Sequence, residues 1–375
     1  MIRIEIDSDT KDKFKEIHWN WFKARMDEVA WPEGKTHKEF IFKHITFLNA
    51  SEKKLSPDKQ DKIKEDRLKM LIVGDPNTKI NGLKLYVFFQ QLNKKYKWHN
   101  TSAMKKKDNQ TEQEFNDEKE KKDKENKHIK DLQTAFGYDD FVSSPQKDKW
   151  YIEFKKNNND NDWNAKVLSE KLGVDVCPYC NRQYIFGYEL VDKKTNTNKK
   201  NTAEIDHFKP KSHYPYLSCS LYNFVPACHL CNSIKQAQDK DILYPYTDSL
   251  DEKTGNEKNA KFEFNANGIK LKVNPKYSKT NEADNSIKMF HLNEIYSKHT
   301  LELKDLTDRY ENCTPQQLDA LFNFITNDLQ ISISKEKLKK LIMGLPINTT
   351  KEYPLRKFKE DIINQLEEES KKIVQ

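Results

Sequence analysis

The chain has 375 residues, 33% of them charged, and its 66 Lys plus Arg against 59 Asp plus Glu leave a formal net charge of +7. The length allows two or three domains with a substantial core. No apolar run approaches the roughly 20 residues that cross a bilayer, and no apolar stretch follows a basic start, so no membrane association and a cytoplasmic location are expected.

Only six of the basic residues are Arg and the opposite charges nearly cancel, so a solvated, salt-bridged surface accounts for most of the lysines. Composition alone does not assign a nucleic-acid partner. Residues 1–103 read as a helical region: apolar residues recur at helical spacing at Trp19, Phe22 and Met26, then at Phe40, Phe42, Ile45 and Phe47, and again from Leu83 to Trp98. These aromatic positions are expected in the core. Residues 104–131 are almost wholly polar. Between Lys105 and Asp131 nine Lys stand against nine Asp plus Glu, so this stretch predicts an exposed helix or a linker with no net charge, not a basic arm.

From residue 132 the texture changes to aromatic, Pro-containing sequence with strand-like runs, and 132–285 is read as one domain. Within it Phe262, Phe264, Ile269 and Leu271 alternate with polar residues on either side of Asn267-Gly268, which predicts a tight hairpin. Helical spacing returns over 286–375. There Thr314-Pro315 suits an N-cap and first helical position, and a last helix starting at Pro354 would carry Leu355, Phe358, Ile362 and Leu366 on one face. With nine Gly in the chain and no G-x-x-x-x-G-K-[ST] motif, any ATP hydrolysis would belong to a partner.

Four of the six cysteines form two C-x-x-C pairs, Cys177/Cys180 and Cys228/Cys231. Two such pairs complete a tetrahedral site for Zn2+, and four thiolates leave no open position, so this zinc is expected to be structural. Cys219 and Cys313 stand alone and read as packing residues. His229, inside the second pair, reads as exposed.

Between the pairs lies Glu204-Ile205-Asp206-His207-Phe208-Lys209-Pro210-Lys211-Ser212, then Tyr222-Asn223, and Cys231-Asn232-Ser233-Ile234-Lys235 closes the stretch. A neutral His can accept a proton from water near pH 7, and a neighbouring Asp can hold a hard cation through oxygen. Asp206-His207 supplies both parts of a phosphodiester-hydrolysing site.

The ordered set C-x-x-C, D-H-x-x-P-x-S, Y-N, C-x-x-C-N-x-x-K over about 177–236 resembles the zinc-bracketed branch of the HNH endonuclease family (ββα-metal, or His-Me finger). The resemblance implies an α+β fold: a small ββα-metal core with its four-cysteine zinc site, flanked by mainly helical N- and C-terminal regions. It implies His207 as general base, Asp206 as ligand of a catalytic Mg2+ or Mn2+, and Asn223 as the residue orienting the His-bearing loop. Asn232 becomes the second metal ligand. Many members have His there, and the amide oxygen favours a hard metal. If residues 228–240 form the α of ββα, Cys231 and Asn232 point about 100° apart, and Lys235 and Gln236 share the face of Asn232. Lys235, Lys209, Lys211 and Arg182 are candidate phosphate contacts. Glu204 is either a carboxylate supporting the site or a solvent-facing strand residue, and His213, His291 and His299 are expected in structural or surface roles.

The function implied is cleavage of DNA, double-stranded by expectation, by an effector similar to the HNH subunits of Septu-type anti-phage systems, working beside an ATPase or sensor protein. Two other readings stand: a zinc-stabilised nucleic-acid-binding protein whose nuclease site has decayed, and an HNH nuclease acting on RNA.

Overall fold

The structure, a computed structural model, describes residues 1–28, 30–31, 35–45, 48–75, 78–80, 83–84, 106–143, 146–190, 198–347 and 352–374. Phe47 and most of the Leu83–Trp98 stretch lie outside the described residues. The fold mixes helices with small antiparallel two-stranded sheets, and among the described residues no helix is long and apolar enough to cross a membrane. The chain divides into two compact units that interleave in sequence: residues 4–173 with 187–239, and residues 1–3 with 174–186 and 240–375.

The first of these units is built on α1 (Ser8–Glu28), which packs against α2 (His37–His44), α3 (Pro57–Val73) and α6 (Lys149–Asn157). Trp19, Phe22 and Met26 are buried, as helical spacing predicts. The charged segment forms α4 (Glu112–Ala135), opened by a capping box from Thr111 and Glu114. It is not a free linker: Ile129, Leu132 and Ala135 give its last turns a buried face. Arg25, itself buried, closes the C-terminus of α4 by donating to the carbonyls of Thr134 (2.7 Å) and Ala135 (2.9 Å). There its charge also meets the negative end of the helix dipole. Gly137 makes the sharp exit with φ +76°, where an added Cβ would stand 2.5 Å from Arg25 Nε. The short α5 (Tyr138–Ser143) follows directly, and α7 (Ala165–Lys171) lies further on.

On this helical base sits a hairpin-like pair, β1 (Glu204–His207) antiparallel to β2 (Phe224–Ala227), followed by α8 (His229–Lys235). The helix is shorter than the 228–240 expected, because Gln236 turns out of it with φ 46°. The register sets His207 opposite Phe224 and Asp206 opposite Val225. Phe224 stacks on Phe141 of α5 (5.2 Å between ring centres) and meets His18 of α1 edge-on, so an aromatic cluster continuing to Trp21 and Trp163 supports the strands from below. Such rings carry much of a core's burial energy.

In the other unit β3 (Ala260–Asn265) pairs with β4 (Gly268–Val273), Phe262 facing Leu271 and Phe264 facing Ile269. The expected hairpin is present, but its turn is one residue earlier: Asn265 pairs with Gly268, leaving Ala266 and Asn267 as the loop while Gly268 takes the positive φ of 107°. Helices α9 (Thr280–Met289), α10 (Leu292–Tyr296), α11 (Thr300–Glu311), α12 (Pro315–Asn323), α13 (Lys335–Ile342) and α14 (Arg356–Val374) complete the unit. Thr314 caps α12 with Pro315 in its first position, and Phe358 and Ile362 bury the face of α14 that packs on β3.

Candidate catalytic cleft and four-cysteine metal site

The sulfurs of Cys177, Cys180, Cys228 and Cys231 all lie within 4.8 Å of one another and all four residues are buried. Zinc–sulfur bonds of about 2.3 Å in a tetrahedron place sulfurs about 3.8 Å apart, so the cluster fits a Zn2+. The local backbone prepares the ligands. Asn181, with φ 53°, turns the first pair so that its own N–H reaches the Cys177 carbonyl (2.8 Å), and Tyr296 donates to the Cys180 carbonyl (2.7 Å). Cys228 stands at the N-cap of α8 and Cys231 one turn inside it. Cys219 is buried, and burial pushes its thiol well above the ordinary range. That suits a packing role.

Asp206, His207 and Asn232 line one cleft of about 620 Å3, together with Ile205, Pro210, Lys211, Ser212 and Gln236. The opposite wall is α4 and the corner after it, through Asn126, Lys130, Gln133, Tyr138 and Asp139. His207 is 8% exposed, and its Nε2 lies 2.9 Å from the Ser218 carbonyl. A carbonyl only accepts, so Nε2 carries the hydrogen of the neutral ring and Nδ1 keeps the lone pair. Burial lowers the pKa of His207 to about 3, which holds the ring neutral. The rings of Tyr138 (4.7 Å) and Phe224 (5.3 Å) fix its plane from two sides.

Asn223 is almost fully buried, and its amide is fully used. Oδ1 accepts from the Lys209 N–H (2.7 Å), while Nδ2 donates to the carbonyls of Lys209 (3.0 Å) and Leu217 (3.0 Å). The chain leaving β1 is thereby tied to the turn Pro215–Leu217, next to the carbonyl that holds His207. Glu204 points to α8: its oxygens accept from Asn232 Nδ2 (2.7 Å) and pair with exposed His229 (2.6 Å). Burial opposes ionisation of Glu204, but these two partners outweigh it and hold its carboxyl below the usual range, while Glu204 raises the pKa of His229. With its NH2 spent on Glu204, Asn232 has its oxygen left for a ligand.

The candidate phosphate contacts separate. Lys235 is 1% exposed, and its ammonium is engaged by Asp206 Oδ1 (3.1 Å) and the His207 carbonyl (2.6 Å). Lys209 is also buried and pairs with Asp239 (2.9 Å). Both of these expected phosphate contacts are thus buried ammoniums paired with a carboxylate inside the protein, as a buried charge requires. Lys211 remains in the cleft, half-buried over the Tyr138 ring at 3.6 Å, and burial lowers its pKa. Arg182 belongs to the other unit, where its Nε lies 2.9 Å from His299 Nε2. Among the described residues the four cysteines are the one cluster of His, Cys, Asp or Glu side chains close enough to share a metal ion, and in the cleft Lys235 already balances part of the charge of Asp206.

Sequence reasoning did not single out Tyr138, Arg25 or His18. The backbone of Cys219, next to the carbonyl that orients His207, is held by His18, whose Nε2 lies 2.8 Å from the Cys219 carbonyl while its Nδ1 accepts from the Trp163 indole (3.0 Å). No family model matches the chain, and neither a curated protein nor a solved structure matches it. Its class therefore rests on its own geometry: a mixed helical and small-sheet protein with four buried cysteines at metal-binding distance.

Proposed function

We propose that the chain is a metal-dependent endonuclease of the HNH class that hydrolyses DNA phosphodiester bonds, with a structural zinc on the four cysteines. The observation that carries this reading is the convergence of Asp206, His207 and Asn232 on one cleft, with His207 Nε2 committed to a carbonyl. In that role His207 takes a proton from the attacking water at Nδ1. Asp206 and Asn232 would hold Mg2+ or Mn2+, which supplies positive charge to the phosphate oxygens when bound. Asn223 keeps the loop in place, and Lys211 offers its ammonium to the substrate backbone. The sequence resemblance extends the reading to an anti-phage effector acting with an ATPase or sensor protein.

A second reading, a nucleic-acid-binding protein without hydrolysis, has one observation in its favour: Lys235 already neutralises Asp206. Cleavage of supercoiled plasmid by the purified chain with Mg2+, Mn2+ or EDTA decides between them. The nuclease reading expects ion-dependent nicking that falls by roughly 10²-fold to 10⁴-fold in His207→Ala, the usual contribution of a general base. Binding without turnover on DNA or RNA, under every ion condition, favours the second.

A further inference from the structure

Lys209 and Lys235 spend their charge on carboxylates, whereas among the described residues Lys211 has no carboxylate within ion-pairing distance. Its ammonium rests instead 3.6 Å from the centre of the Tyr138 ring, in the cleft that both residues line. Contact with a ring face is electrostatic and engages no protein acceptor, so N–H donors remain for a phosphate oxygen. The same ring meets His207 edge-on, 4.7 Å between ring centres. Tyr138 therefore touches both the proposed base and the proposed phosphate contact.

The place of Tyr138 is itself fixed. It follows Gly137 at the corner between α4 and α5, and buried Arg25 braces that corner, donating to the carbonyls of Thr134 and Ala135 and to Asp140 Oδ2 (2.5 Å). Gln133, in the last turn of α4, donates to the Lys211 carbonyl (2.8 Å). Backbone and ammonium of Lys211 are thus anchored to one corner. A long side chain held in this way loses less freedom when it binds, which favours binding. Resting on the nuclease reading of this cleft, we propose that Tyr138 is a positioning residue: its ring presents the Lys211 ammonium to a DNA backbone phosphate and holds the plane of His207 beside that phosphate. The role belongs to the aromatic ring and not to the phenol hydroxyl.

The test uses the full chain in two arms. In the first, binding of a fluorescein-labelled DNA duplex is followed by anisotropy without added Mg2+ or Mn2+. Lys211→Met and Tyr138→Leu should each weaken binding roughly threefold to tenfold, the worth of one pre-ordered side chain, and the double variant should bind no more weakly than Lys211→Met alone. Tyr138→Phe should bind like the wild type. Tyr138→pentafluorophenylalanine keeps the ring shape but strips the negative charge from its face; it should bind like Tyr138→Leu, and it decides the matter if Tyr138→Leu does not fold. In the second arm, turnover of supercoiled plasmid with Mg2+, both Lys211→Met and Tyr138→Leu should raise KM, and Tyr138→Leu should also lower kcat roughly tenfold. Additive losses in the double variant overturn the proposal, as do a Tyr138→Phe protein as weak as Tyr138→Leu, a Tyr138→Leu protein with the wild-type kcat, and DNA binding indifferent to Lys211→Met. A wild type that cuts nothing while the binding losses remain coupled removes the nuclease reading alone and supports Tyr138 as the residue that positions Lys211 on DNA.

Discussion

Replacing Asn223 with Ala removes three hydrogen bonds at one stroke, those with the Lys209 N–H, the Lys209 carbonyl and the Leu217 carbonyl, of which the last keeps only the Ser220 N–H (3.1 Å). Each bond contributes about 1 kcal/mol net, and each buried group left unpaired costs about 1–3 kcal/mol. Asn223 is 5% exposed, so water does not easily replace the amide, and the expected loss is about 3–5 kcal/mol. For a unit of this size that corresponds to a fall of roughly 6–20 °C in melting temperature. Asn223→Asp should do no better, since it keeps the acceptor for Lys209 and sets a carboxylate against two carbonyls. Thermal and urea unfolding followed by circular dichroism measure both variants. A melting temperature for Asn223→Ala within about 1 °C of wild type would refute the clamp. In the nuclease assay the same variant should lose both turnover and substrate affinity, because the clamped stretch follows directly on His207 and also carries Lys211.

Removal of the metal and protonation of a buried ring test two further parts of the structure. Stripping zinc with a strong chelator, or replacing Cys228 with Ser, should lower the melting temperature by well over 10 °C, and metal analysis should find about one zinc per chain in the wild type and none in the variant; a zinc-free protein that melts like the wild type would remove the structural zinc. His18 has its pKa lowered from 6.5 to about 4 by burial. Below pH 6.5 the unfolded chain takes up a proton that the native ring refuses, so stability from this group is complete above 6.5 and falls toward pH 4. The contribution lost is about 3 kcal/mol. His18→Gln should therefore flatten the dependence of unfolding free energy on pH between 6.5 and 4, and an unchanged slope would contradict it.

The parts legible in the sequence are those whose signal is local. Two C-x-x-C pairs announce a four-thiol cluster because each pair fixes its own geometry, whatever the fold does with the residues between them. Trp19, Phe22 and Met26 announce a buried helical face for the same reason. The turn of the β3–β4 hairpin falls one residue before the expected position because Asn-Gly commonly supplies both loop positions, whereas here Gly268 supplies only the positive φ that follows the loop. Composition conceals the role of α4: its charges crowd the first two-thirds, and the three apolar residues that seat it fall in its last turns. Lys209 and Lys235 are illegible for a different reason. A lysine looks the same in sequence whether it faces water or a carboxylate about 30 residues away, and only the fold brings Asp206 to Lys235 and Asp239 to Lys209.

The two central histidines show how little separates a structural ring from a candidate base. Both are buried, both are held neutral by desolvation, and their Nε2 atoms address carbonyls of consecutive residues, His207 to Ser218 and His18 to Cys219. They differ at Nδ1. Trp163 fills that position on His18 with an indole N–H, which can only donate, so the ring has no lone pair left to offer. His207 has no such donor among its described hydrogen bonds and lines the cleft with Asp206 and Asn232. A ring whose second nitrogen is spent within the core can orient a peptide but cannot take a proton from water, whereas a cleft-lining ring that keeps that lone pair could. The proposed role of His207 as the base therefore rests on the hydrogen-bond pattern more than on the Asp-His dipeptide, and in the same pattern His18 holds the backbone beside the carbonyl that orients His207.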